Sequence, residues 1–209
     1  MVIIFPISAD SAESPELSDD NNYFTVRNVF YLILNQSAED SPYVFAHGLG
    51  AGLDMNVGTI FSLEPSVELY LNYYGFNSDE RPLPVEESNR DIYLLFVVVD
   101  SNFVFHFPVS ETIKFDLFAS PSFFLPIPLR DWWDPGSERY DEVFGYLYGA
   151  FRFFQPMGGA AFVWNVSDTM AFEIRTKVYI PVFHIWDMEF LEFQDQMRIG
   201  LSIGFQFQL

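Results

Sequence analysis

The sequence contains no cysteine, which excludes disulfides, thiolate metal sites and a cysteine nucleophile. Basic residues are scarce. Ten Lys and Arg stand against 29 Asp and Glu, a formal charge of -19, so the basic footprint of a nucleic-acid-binding protein is missing and no nucleic acid is expected as a partner. No apolar run reaches the roughly 18 residues that a membrane-spanning helix needs. Phosphate-cradling glycine loops, dinucleotide fingerprints, HExxH pairs and EF-hand spacings are also absent, so no cofactor and no metal is expected. Half of the 209 residues are nevertheless apolar and 19% are aromatic, 25 of them Phe. A chain this long fits one barrel or sandwich domain.

The acids are unevenly spread. Residues 1–22 hold five acids and no base, and the segments 36–42, 76–91, 128–143 and 184–195 hold sixteen more with only four bases. The remainder has eight acids and six bases and is almost neutral. Acidity therefore belongs to a tail and to loops that water can solvate. The tail, with an apolar start and small residues at Ala9 and Ala12, reads as a signal-peptide remnant, which leaves residues 23–209 as the domain.

The neutral remainder alternates. From Met197 to Leu209 every odd position is apolar (Met, Ile, Leu, Ile, Phe, Phe, Leu) and every even one is polar or Gly, the period of a strand between two media. Met170–Phe183 is as regular, and Tyr43–Leu63 carries glycine on its polar parity at Gly48, Gly50, Gly52 and Gly58. Val67–Phe76 and Thr112–Ile127 alternate as well, while Tyr23–Asn35 and Asp91–Phe107 have a blurred phase, with a bulge expected at Asp100-Ser101-Asn102. Phe144–Asn165 completes eight strands, bent at Gln155-Pro156 and Gly158-Gly159. Tight turns are expected at 64–66, 108–111 and 166–168, a short connection at 36–42, and long loops at 77–90, 128–143 and 184–194.

Short turns on one rim and longer acidic loops on the other define an eight-stranded antiparallel up-and-down transmembrane β-barrel. A soluble lipocalin-like ligand-binding barrel would share the strand count but would turn its apolar face inward. The polar parity separates the two. It is rich in Gly, Ala and Ser, which suit a narrow lumen, and its charges balance: Asp54, Glu68, Asp116 and Glu173 against Lys114, Arg175, Lys177 and Arg198. Counting from the turns puts Lys114, Asp116, Glu173 and Arg175 at one depth and Asp54, Lys177 and Arg198 higher. Aromatic belts are expected at both strand ends: Tyr73, Tyr74, Phe76, Tyr93, Tyr146, Tyr148 and Phe183 beside the loops, and Phe61, Phe107, Trp164 and Phe207 beside the turns.

With its closing strand ending Phe205-Gln206-Phe207-Gln208-Leu209, its Gly48-Leu49-Gly50-Ala51-Gly52 run and its repeated Val-Ser-acid-Thr turns, the chain resembles the small eight-stranded outer-membrane barrels of the OmpA, OmpX and OmpW type over residues 23–209. The usual terminal aromatic is displaced, Phe207 standing two residues before Leu209. The resemblance implies the outer membrane of a diderm bacterium, recognition of the last strand by the barrel assembly machinery, and contact with outer-membrane lipid and a lipopolysaccharide-type surface. It implies no activity and fixes no oligomeric state.

A barrel of eight strands has a lumen just wide enough to fill with side chains, so a salt-bridged interior is expected, with a narrow conduit or binding barrel for small apolar molecules as the alternative. Catalysis is not expected. His47 falls on the outward parity, His106 lies beside a turn, and nothing in the spacing brings a base to Asp100-Ser101. The recognition-like piece of the loops is Asp131-Trp132-Trp133-Asp134, since exposed Trp anchors partners.

Overall fold

The structure is a computed structural model and describes residues 22–33, 44–76, 90–129, 148–185 and 197–209. Nine strand segments follow in chain order: β1 (Tyr23–Ile33), β2 (Val44–Asn56), β3 (Phe61–Phe76), β4 (Arg90–Pro108), β5 (Ile113–Ser120), β6 (Ser122–Pro128), β7 (Met157–Ser167), β8 (Met170–Tyr179) and β9 (Arg198–Gln208). Both β5 and β6 pair with β4 and are separated only by Pro121, which has no N–H for a ladder. They are two halves of one stave, so the wall has eight. Each stave is antiparallel to its neighbours, and β9 pairs with β1 from Tyr23↔Gln208 to Ile33↔Arg198. The sheet closes as the sequence leads one to expect, leaving no edge between first and last strands.

Four boundaries differ from the sequence reading. The first tight turn lies at 57–60 rather than at Glu64-Pro65-Ser66, which sits inside β3. A proline is tolerated there because the β2–β3 ladder lapses opposite it, between the pairs Gly52↔Ser66 and Met55↔Leu63. The expected bulge at Asp100-Ser101-Asn102 is absent: β3 and β4 hold one register from Phe61↔Phe105 to Phe76↔Arg90. Strand β7 starts at Met157, preceded by a 3-10 turn at Gly149–Phe151, and β8 stops at Tyr179 because Pro181 follows, with a second 3-10 turn at Val182–Ile185.

The two faces of the wall differ in kind. On β9, Ile199, Leu201, Ile203, Phe205 and Phe207 point outward and are each at least 40% exposed, while Gly200, Ser202, Gly204 and Gln206 point inward and are buried. Outward Leu69 and Leu71 on β3, Phe103, Phe105 and Phe107 on β4 and Phe162 and Trp164 on β7 extend the apolar band round the barrel. An apolar surface on this scale is stable only against another apolar medium. At the tight-turn rim Phe107, Trp164 and Phe207 are outward and exposed. On the loop side Phe183 departs from the expected belt. It is fully buried, because the turn after Pro181 folds its ring inward. The side chains of Tyr73, Tyr74, Phe76, Tyr93 and Tyr146 lie outside the described residues.

Candidate functional site: the filled lumen

Inward positions are where a barrel keeps its chemistry, and here they carry many buried polar groups. Strand alternation brings Arg27 from β1, Glu64 from β3, and Glu173 and Arg175 from β8 into one cluster at mid-lumen, each no more than 3% exposed. Arg27 Nε lies 2.8 Å from Glu173 Oε1 and its Nη2 2.6 Å from Glu64 Oε1. Arg175 Nη2 lies 2.7 Å from Glu64 Oε2 and 3.0 Å from Glu173 Oε2, and Gln206 Nε2 donates to Glu173 at 2.8 Å. Two guanidiniums and two carboxylates in mutual contact neutralise one another, which is the condition for keeping charge out of water.

The glycines of the polar parity make room for this network. A Cβ on Gly52 would stand 2.8 Å from Glu64 Oε1, one on Gly50 2.9 Å from Glu68 Cγ, and one on Gly204 2.9 Å from Arg27 Cγ. The charged side chains reach across the lumen only because these positions have no side chain.

Toward the loops a second group forms. Lys177 Nζ contacts both Glu68 oxygens, at 2.5 and 2.6 Å, and lies 3.8 Å from Asp100 Oδ2. The Tyr31 hydroxyl donates to Glu68, and the Tyr179 hydroxyl donates to Asp100 at 3.3 Å. Higher still the lining turns aromatic: Tyr70 stacks on Phe96 with centroids 4.9 Å apart, and Phe124 meets Tyr179 edge-on at 4.6 Å. The Arg198 guanidinium lies 3.9 Å from the centre of the Phe124 ring and 5.2 Å from that of Phe96.

Toward the tight turns a third group forms. His106 Nδ1 is 2.8 Å from Asp116 Oδ1 and its Nε2 is 2.9 Å from Ser62 Oγ, and Asp54 is buried beside them. Asp54 therefore lies low in the barrel, not high as the turn count suggested, because the true turn is several residues nearer to it. Lys114, half-buried, sits over the Tyr23 ring at 5.4 Å. The order Ser62, His106, Asp116 has the spacing of a nucleophile, base and orienter. Its serine is fully buried, so in this arrangement the trio joins β3, β4 and β5.

The structure thus brings Glu173 to Arg175 and Glu68 to Lys177, places Asp116 with His106, and sets Arg198 among rings. Sequence reasoning missed Arg27, Glu64, Asp100 and His106 as members, although an uninterrupted parity count along β3 and β4 would have included Glu64, Asp100 and His106. Trp132 and Trp133 lie outside the described residues.

A closed eight-stave antiparallel wall, apolar outside and filled with paired charge inside, defines the class: a small transmembrane β-barrel. Solved structures agree. Neisserial surface protein A (NspA) aligns at TM-score 0.52 and 12% identity over 90% of this chain and 97% of its own. Ail, the attachment invasion locus protein of Yersinia pestis, aligns at TM-score 0.50 and 8% identity over 91% and 99%. The chain has the fold of the small eight-stranded outer-membrane barrels. No protein-family model and no curated protein sequence matches it.

Proposed function

We propose that this protein sits in the outer membrane of a diderm bacterium as a non-conducting barrel, and that its role is structural or surface-interacting, exercised through acidic loops. The observation that carries this reading is the Arg27–Glu64–Arg175–Glu173 network, which joins β1, β3 and β8 across the lumen and fills the cross-section a solute would need. The partners that fit are outer-membrane lipid around the wall, a lipopolysaccharide-type surface at the loops, and the assembly machinery at β9. Nothing in the proposed role uses catalysis.

The decisive measurement is conductance of the refolded barrel in a planar bilayer, on material that changes gel mobility on boiling. Baseline current from the wild type, together with current through a Glu64→Ala/Arg175→Ala double variant, supports a plug. Steady current through the wild type overturns it in favour of the narrow conduit, and extraction as a soluble monomer without detergent overturns the membrane placement.

A further inference from the structure

We infer that Asn28 and His47 form a docking site for a second copy of this chain, on the lipid-facing wall of β1 and β2. Asn28 is the central residue of β1, with outward Phe24 and Val26 below it and outward Phe30 and Leu32 above. His47 stands between outward Phe45 and Leu49 on β2. Both polar side chains are exposed, and His47 Nε2 lies 2.5 Å from Asn28 Oδ1. The pair therefore sits within the apolar band, where the medium is hydrocarbon. Between the rims, the other polar side chains turned outward on the described strands are the hydroxyls of Ser101 and Thr176. A hydroxyl can bond its own wall, as Thr176 Oγ1 does to the Ala160 carbonyl oxygen.

The contact uses one hydrogen-bonding site on each side chain. With Oδ1 accepting, Nε2 carries the hydrogen, so in its neutral form the imidazole keeps an acceptor at Nδ1 and the amide keeps its hydrogens on Nδ2. Neither side chain makes another hydrogen bond among the described residues. Acyl chains supply none, and a polar group left unmet in hydrocarbon costs free energy. The two remainders match each other. Across a two-fold axis along the membrane normal, Asn28 Nδ2 donates to the partner's His47 while the partner's Asn28 donates back, giving two identical bonds. A patch with one spare donor group and one spare acceptor is complementary to itself, which assigns the occupant as a second copy.

The surroundings hold the pair in place. The imidazole centroid is 5.0 Å from that of Phe30, its cross-strand neighbour, and Phe45 stacks on Phe30 at 6.1 Å, so little side-chain freedom remains to be lost on association. Leu71 and Leu69, cross-strand to His47 and Leu49 on β3, continue an exposed apolar surface beside the polar centre. Lipid tails are as apolar as leucine, so that surface alone selects no partner in a membrane; hydrogen bonds at its centre do.

The test is association of the refolded barrel in phosphatidylcholine vesicles, read by energy transfer between donor- and acceptor-labelled copies as lipid is added. Wild type should pair. Asn28→Leu/His47→Leu, which leaves the wall apolar, should lower about tenfold the lipid-to-protein ratio at which half the pairs separate. Both substitutions face lipid, so the double variant should still change gel mobility on boiling. The chain has no cysteine, so single introduced ones report which face meets which, and they decide the matter even where the double variant fails to refold. Leu49→Cys, beside the pair, should crosslink copies on oxidation, whereas Leu117→Cys, on the β5 stave across the barrel, should not. A wild type that stays single, pairing that the double variant keeps in full, or crosslinking as strong through Leu117→Cys overturns the docking site. The inference rests on the membrane placement but fails separately from it. A monomer soluble without detergent refutes both, whereas a heat-modifiable barrel that stays single refutes only the docking site.

Discussion

The lower and upper halves of the lumen solve the same packing problem with different chemistry. Below, Arg27, Glu64, Glu173 and Arg175 fill the barrel with ion pairs, and each guanidinium contacts two carboxylates. Above the Glu68–Lys177–Asp100 group, Tyr70, Phe96, Phe124 and Tyr179 line the lumen with rings, and the Arg198 guanidinium is held against ring faces. The lower solution depends on complete pairing, because a buried charge without its partner is costly. The upper one depends on shape and tolerates partial loss. That difference can be broken experimentally from either side.

The largest effect belongs to the lower half. Arg175→Met removes the guanidinium shared by Glu64 and Glu173 and leaves two carboxylates facing Arg27 alone, which should cost about 3–5 kcal/mol of unfolding free energy in lipid vesicles. A loss under about 1 kcal/mol would mean that water reaches the network and the halves differ less than their contacts suggest.

Next comes the space that the lower half requires. A Cβ at Gly204 would stand 2.4 Å from the Val26 carbonyl oxygen as well as against Arg27, and a backbone oxygen cannot swing aside as a side chain can. Gly204→Val should destabilise by about 1–3 kcal/mol and lower the yield of heat-modifiable barrel on refolding. Gly58→Val, in the turn, where a Cβ meets nothing within 4 Å, is the control and should refold like the wild type.

How far the sequence reveals these halves depends on which signal each residue gives. The closing strand is plain, because Met197–Leu209 alternates without exception, and its pairing with β1 follows from an even strand count. Glu173, Arg175 and Lys177 are plain for the same reason. Glu64 is hidden by its own neighbours: Glu-Pro-Ser looks like a turn, and only the lapse in the β2–β3 ladder lets Pro65 stay in a strand. Arg27 is hidden because β1 is apolar on both faces, with Val29 and Tyr31 fully buried inward and Phe24 and Val26 exposed outward. Asp100 is hidden because three polar residues in a row suggest a bulge, whereas Asp100 and Asn102 both face the lumen and Ser101 the outside. Pairing across the barrel is set by strand stagger, which one strand's pattern does not contain.

The smallest effect compares one substitution in both halves. Lysine keeps the charge of arginine but loses the planar fork and the flat face that lies on a ring. At position 175 the fork takes both oxygens of Glu64, Nη1 on Oε1 and Nη2 on Oε2, while Nη2 also reaches Glu173 Oε2, so Arg175→Lys gives up contacts that an ammonium cannot reproduce together. At position 198 the guanidinium has no carboxylate among its described contacts, and Nε and Nη1 are buried without a hydrogen-bond partner. Arg198→Lys therefore forfeits mainly ring contact, about 0.5–1 kcal/mol, read as a small drop in the urea midpoint. Phe124→Leu in the Arg198→Lys background should then cost less than Phe124→Leu alone, because the face that Arg198 used is already idle. Equal costs in the two backgrounds would show that Arg198 is held by something other than the rings, and the upper half would then be ionic like the lower.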